Sequence, residues 1–153
     1  MRSEASYKLQ LGRMSSIARV RVRGIHHVGV AMTDLDEAVV TYARLFGARL
    51  ERRDGLADQG VEAASLLVGE SRVELLEPTG EDTPVGRFLA KRGPGMHHLA
   101  LETDDVEEAL RELAAAGAQL IDQTPRRGLF GLEVAFVHPD AVHGVLTEVV
   151  SSE

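Results

Sequence analysis

From Ile25 to Ala31 the chain alternates bulky apolar residues with small or polar ones, Ile-His-His-Val-Gly-Val-Ala, and Gly95 to Glu102 repeats the pattern as Gly-Met-His-His-Leu-Ala-Leu-Glu. A period of two predicts strands, whose successive side chains point to opposite faces. In the second run His98, Ala100 and Glu102 share one face and Leu99 and Leu101 the other; in the first, His27, Gly29 and Ala31 oppose Val28 and Val30. A bulky apolar face suits packing under a helix. A face with one imidazole beside very small residues suits the wall of a cavity. The neighbouring His26 and His97 fall on the opposite face from His27 and His98, and the plainest reading makes them solvent-side residues.

After the first strand, Thr33-Asp34 offers a cap for a helix over Leu35 to Phe46, which Gly47 stops. Strands follow at 49–53, 61–68 and 72–77, with a polar loop ending at Gln59-Gly60, a turn at Gly69-Glu70 and Pro78 closing the set. The order is β-α-β-β-β. Residues 79–95 read as a linker with a helical turn over Val85 to Lys91. The order then repeats: strand 98–102, cap Thr103-Asp104, helix 106–116 ended by Gly117, and strands at 119–122, 133–137 and 144–150. Thr33-Asp34 matches Thr103-Asp104, and Gly47-Ala48 matches Gly117-Ala118, both at an offset of 70. A duplicated unit too small to bury its own face predicts two halves packed into one shared sheet. We therefore divide the chain into module one (24–78), a linker (79–95) and module two (96–150), forming one domain over 24–150.

Composition narrows the chemistry. The 153 residues include no cysteine, so any metal must be held by His, Asp or Glu, and cysteine nucleophiles are excluded. No apolar run is long enough to cross a bilayer, and no secretory h-region is present, so a cytoplasmic protein is expected. The net charge is −7. Residues 1–23 carry six basic groups against Glu4, a net of +5, which leaves −12 for the remainder. With one aromatic, Tyr7, and no base-reading motif, this arm reads as a poorly ordered leader preceding a start near Met14 rather than a nucleic-acid contact.

Each half also places a glutamate inside an otherwise apolar last strand: Glu74 in Arg72-Val73-Glu74-Leu75-Leu76, and Glu148 in Val145-Leu146-Thr147-Glu148-Val149-Val150. The histidine-to-glutamate spacings are alike, 47 residues from His27 to Glu74 and 50 from His98 to Glu148. A charge in mid-strand is costly unless paired or bound to a metal. Two at matching places point to one site built from both halves, with imidazoles and carboxylates suited to a divalent cation. His138 and His143 read as loop residues.

These features resemble the vicinal oxygen chelate superfamily, which includes glyoxalase I, and within it the methylmalonyl-CoA epimerases. The resembling segments are 25–31, Asp58-Gln59-Gly60-Val61, 73–78, the linker 82–93, Gly95-Met96-His97-His98, Phe136-Val137-His138-Pro139 and 144–148. The resemblance implies an α+β fold of paired βαβββ modules in a shared curved mixed sheet. It implies one divalent metal ion (Co2+, Zn2+, Mn2+ or Ni2+) held by His27, Glu74, His98 and Glu148. It further implies an acyl-CoA substrate, a homodimer, and Glu148 as a catalytic base in C2 epimerisation of methylmalonyl-CoA. A second base is required on the other side of C2. Where some members carry a glutamate, three residues after the glycine of Gln-Gly-Val, this chain has Ala63, and alternation turns the adjacent Glu62 away. Asp140 stands where a lysine is common. The alternatives are a glyoxalase I-like lactoylglutathione lyase, an extradiol dioxygenase and a non-catalytic antibiotic binder. The complete set of four donors weighs against the last two.

Overall fold

The computed structural model describes residues 3–6, 8 and 20–151. The expectation of a poorly ordered leader falls largely outside these residues. Val22 and Arg23, assigned to that leader, belong instead to the first strand, where Arg23 pairs with Asp104.

Module one runs β1 (Val22–Ala31), α1 (Leu35–Phe46), β2 (Arg49–Leu56), β3 (Val61–Val68) and β4 (Ser71–Pro78). The linker holds α2 (Pro84–Arg92). Module two runs β5 (Gly95–Thr103), α3 (Val106–Ala115), β6 (Arg126–Arg127), β7 (Glu133–Val137) and β8 (Thr147–Ser151), with single 3-10 turns before and after β7. Asp34 caps α1 by accepting the Glu37 N–H at 2.9 Å, and Gly47, at φ 66°, ends it in the left-handed region that glycine tolerates. Thr83 caps α2 in the same manner, with Pro84 in the first turn.

The strands form one mixed sheet in the order β2-β3-β4-β1-β5-β8-β7-β6. β1 and β5 run antiparallel at its centre, and each is flanked by the parallel last strand of its own module, β4 or β8. The expected α+β architecture of two modules sharing one sheet is what the chain adopts. Two expectations are corrected. The cap of α3 is Asp105, which accepts the Glu108 N–H at 2.9 Å, not Thr103-Asp104. The modules are therefore offset by 71 residues from strand to cap, as the two histidines are, and module two recovers the offset of 70 with a shorter helix.

Residues 119–122 also do not form a strand. Leu120 makes only an isolated bridge to Val137, because the Asp122 carboxylate accepts the Phe136 N–H at 2.8 Å in place of a backbone carbonyl. A side chain that occupies a ladder donor ends the pairing. The edge is taken up by the two-residue β6 instead.

One face of the sheet packs under the helices: Ala64, Leu66 and Leu75 against Leu35 of α1, and Ala135 and Val149 against Val106 and Leu110 of α3. The alternate residues Val61, Ala63 and Leu76 pack with Val85 of α2 and line the other, concave side. No helix among the described residues is long and apolar enough to cross a membrane.

Candidate functional site

His27, Glu74, His98 and Glu148 come from the four central strands and meet on the concave face, all buried. The Nε2 atoms of His27 and His98 are 2.9 Å apart. Glu74 Oε2 lies 3.5 Å from His27 Nε2, and the Glu148 oxygens lie 4.0 Å from His27 Nε2 and 3.8 Å from His98 Nε2. Single donor atoms of His27, Glu74 and His98 all fall within 4.8 Å of one another, a group able to hold a metal ion. Bonds of about 2.0–2.2 Å to one cation place its donors from about 2.8 Å apart at a right angle to about 4.2 Å across it. The separations of His27 from His98 and Glu74 lie within that span, so these three residues fit a divalent ion, while Glu148, expected as a fourth ligand, lies beside both imidazoles but outside that group of three.

Burial sets the electrostatics. It lowers the His27 pKa to about 3, helped by His26 and Arg72, and lowers His98 well below the usual range, helped by His27 and His97. It raises Glu74 to about 7 and Glu148 well above the usual carboxylate range, the latter also through Glu74. At neutral pH the imidazoles are uncharged, so their contacts with the carboxylates are not ion pairs. A site that disfavours its own charges without a cation and gathers both neutral imidazoles and carboxylates has the character of a metal pocket.

Gly29 makes room for this arrangement. It lies opposite His98 in the β1/β5 register, and a Cβ there would sit 2.2 Å from the ring carbon Cε1. The equivalent neighbour of His27 is Ala100, fully buried.

Two further histidines join the site against the expectation of solvent-side residues. The β1/β5 register steps from Ile25↔Leu101 to His27↔Ala100 and from Gly29↔His98 to Val30↔Met96, leaving His26 and His97 as the extra residues of two bulges. A bulge breaks the alternation and re-aims side chains. Adjacent rings consequently meet, with Nδ1 to Nδ1 distances of 2.8 Å for His26–His27 and 3.1 Å for His97–His98. The doubled His-His is visible in the sequence, but nothing local marks the bulges.

A cavity of about 810 Å³ opens above His27, Glu74, His98 and Glu148. Leu76, Phe88, Leu129, Val134 and Phe136 supply apolar wall, with Arg87 and Arg126 at its polar parts. Phe136 meets the His98 ring edge-on at 5.8 Å. Glu62 is not in the lining. Its exposed carboxylate lies over Gly55, while Ala63 is buried. His138 accepts the Asp140 N–H at the start of a 3-10 turn, and His143 ends that turn at φ 63°. Both lie outside the donor cluster.

Residues 26–136 match the Glyoxalase/Bleomycin resistance protein/Dioxygenase superfamily. The chain is 34% identical over 133 residues to the mitochondrial methylmalonyl-CoA epimerase of Dictyostelium discoideum, covering 86% of this chain and 80% of that protein. It superposes on a methylmalonyl-CoA epimerase in complex with methylmalonyl-CoA and NH4+ at a TM-score of 0.83, with 38% identity over 86% of this chain and 96% of the other. A single-substitution variant of the Streptomyces coelicolor methylmalonyl-CoA epimerase, in complex with 2-nitronate-propionyl-CoA, gives the same TM-score, identity and coverage. The chain thus belongs to the glyoxalase/bleomycin resistance protein/dioxygenase superfamily and, within it, to the methylmalonyl-CoA epimerase family.

Proposed function

We propose that the protein interconverts the C2 epimers of methylmalonyl-CoA by removing the C2 proton from one face and returning a proton to the other. The observation that carries this reading is the convergence of His27, Glu74, His98 and Glu148 on the floor of a cavity with room for an acyl thioester. We assign all four as ligands of one divalent ion, Co2+, Zn2+, Mn2+ or Ni2+. When bound, that ion supplies Lewis-acid stabilisation of the negative charge that develops on the thioester oxygen.

The protein's own groups handle the proton. Glu148 takes it through a carboxylate oxygen, breaking the C2–H bond and leaving the electron pair delocalised into the thioester carbonyl. With position 63 an alanine and Glu62 facing away, neither of these positions supplies the second acid–base group. Return of a proton to the other face of C2 inverts the centre, and the reverse sequence serves the other epimer. The apolar wall around Leu76, Val134 and Phe136 keeps water from quenching the carbanion. We place the enzyme in the cytoplasm on the reading of its sequence, and as a homodimer following the family resemblance.

Incubation of metal-loaded protein with racemic methylmalonyl-CoA in deuterated water, read by mass spectrometry, tests the proposal. Deuterium enters C2, and chelation abolishes the exchange. Glu148→Gln is expected to slow exchange by about 10²–10⁴-fold, the ordinary contribution of a positioned base. Exchange no faster than in metal-stripped protein overturns the assignment.

A further inference from the structure

Four imidazoles form one continuous chain of contacts across the seam: His26 Nδ1 to His27 Nδ1 at 2.8 Å, His27 Nε2 to His98 Nε2 at 2.9 Å, and His98 Nδ1 to His97 Nδ1 at 3.1 Å. Every link is within hydrogen-bond distance, and His26, His27 and His98 are buried. Each link needs one N–H donor and one lone-pair acceptor, and a neutral imidazole has one of each. The tautomers are therefore coupled. If His27 and His98 present Nε2 lone pairs to a cation, their protons sit on Nδ1, the Nδ1 atoms of His26 and His97 must accept them, and the protons of that outer pair lie on Nε2.

We propose that His26 and His97 are positioning residues for the metal, each holding the adjacent ligand histidine in the tautomer and orientation that offers Nε2 to the ion. This rests on the reading of His27 and His98 as ligands. The two bulges give the device its geometry, since only an interrupted alternation brings neighbouring rings of one strand into contact. His97 is further fixed by an edge-to-face contact with Phe88 at 4.9 Å. The chain also has a consequence for the metal-free protein. The His27–His98 link requires one of the two Nε2 atoms to carry a proton, so the three bonds all run in one direction, from His26 toward His97 or the reverse. Loading the cation removes the central link and reverses the tautomers of one His-His pair, while the other pair is already set.

Two measurements test this without reference to turnover. The first is Zn2+ affinity by chelator competition at fixed pH. His26→Ala and His97→Ala are expected to weaken binding by about 10–100-fold, the usual effect of losing a group that orients a ligand. His26→Asn and His97→Asn, whose Oδ1 can take the acceptor role of Nδ1, are expected to restore most of it. The second is ¹⁵N NMR of the wild-type Zn2+ form, where His27 and His98 should be Nδ1–H tautomers and His26 and His97 Nε2–H tautomers. Alanine variants with wild-type affinity, or Nδ1–H tautomers at His26 and His97 in the loaded protein, overturn the proposal. Zn2+ binding that survives His27→Ala and His98→Ala would instead overturn the underlying ligand assignment, so the two failures are distinguishable.

Discussion

Gly29→Ala is a one-carbon perturbation aimed at His98. The added Cβ would lie 2.2 Å from His98 Cε1 and 2.3 Å from Nδ1, so the ring must retreat by about 1.2 Å to reach the 3.4 Å of ordinary contact. His98 is buried against Phe136 and linked to His27 and His97, so it has little room to give. Overpacking of this kind costs about 1–3 kcal/mol, and for a domain of this size each kcal/mol lowers Tm by roughly 2–4 °C. The larger effect falls on metal binding, because a displacement near 1 Å far exceeds the roughly 0.2 Å that a metal–ligand bond tolerates. Zn2+ affinity is expected to fall at least tenfold. Gly24→Ala is the control, since no atom lies within 4 Å of the position its methyl group would take. Calorimetric melting and chelator competition on both variants give the comparison. A Gly29→Ala protein that binds Zn2+ as tightly as the Gly24→Ala control refutes the claim that glycine is there to seat His98.

Metal binding should release protons, because burial holds the Glu74 pKa near 7 and raises Glu148 well above the usual carboxylate range, so both carboxyls favour their protonated form more than a free carboxylate does. Titrations at pH 7 in buffers of different ionisation enthalpy should report about half a proton or more per site, and affinity should rise with pH. Without metal, burial makes stability fall as pH rises from about 4.5 to about 7, through Glu74, and makes it rise from about pH 3 to about 6.5, through His27. The two opposing slopes overlap between about pH 4.5 and 6.5, so the Tm of stripped protein should be highest there, and a Tm that climbs from about pH 6.5 to about 7 would contradict the raised Glu74. Asp105→Ala should cost about 1 kcal/mol through loss of the α3 cap. A Tm equal to that of wild type would show that the cap is dispensable. Glu62→Gln should leave deuterium exchange within about twofold of wild type, and a loss as large as that of Glu148→Gln would bring Glu62 back as the second base.

The duplicated pattern, most strand and helix types and the meeting of His27, Glu74, His98 and Glu148 are legible because each rests on local periodicity or on a charge placed where apolar residues surround it. What escapes a reading of the chain rests on pairing between distant strands. Alternation parts His26 from His27 and His97 from His98 only in an unbroken ladder, and the bulges arise from how β1 meets β5. Residues 119–122 have strand-like composition, yet one carboxylate, Asp122, takes the donor that a strand partner would have used. The cap of α3 lies one residue beyond the expected pair because three consecutive capping-type residues, Thr103-Asp104-Asp105, are equivalent in sequence and only hydrogen bonding separates them. Gly29 is recognisable from the sequence as a small residue lining a cavity. Its sharper role, as the space that the His98 ring occupies, needs the register across the seam.

The antiparallel junction of β1 and β5 also bears on how the chain melts. His27 and Glu74 come from module one and His98 from module two, so neither module alone holds the whole group. An ion in the site is a clasp between the two halves of the polypeptide, and its binding energy is felt only when they are joined. At a free metal concentration about 100 times Kd that linkage adds about 2.7 kcal/mol to the joined state. The modules of the loaded protein should then open together rather than in sequence, making the duplicated chain a single cooperative unit.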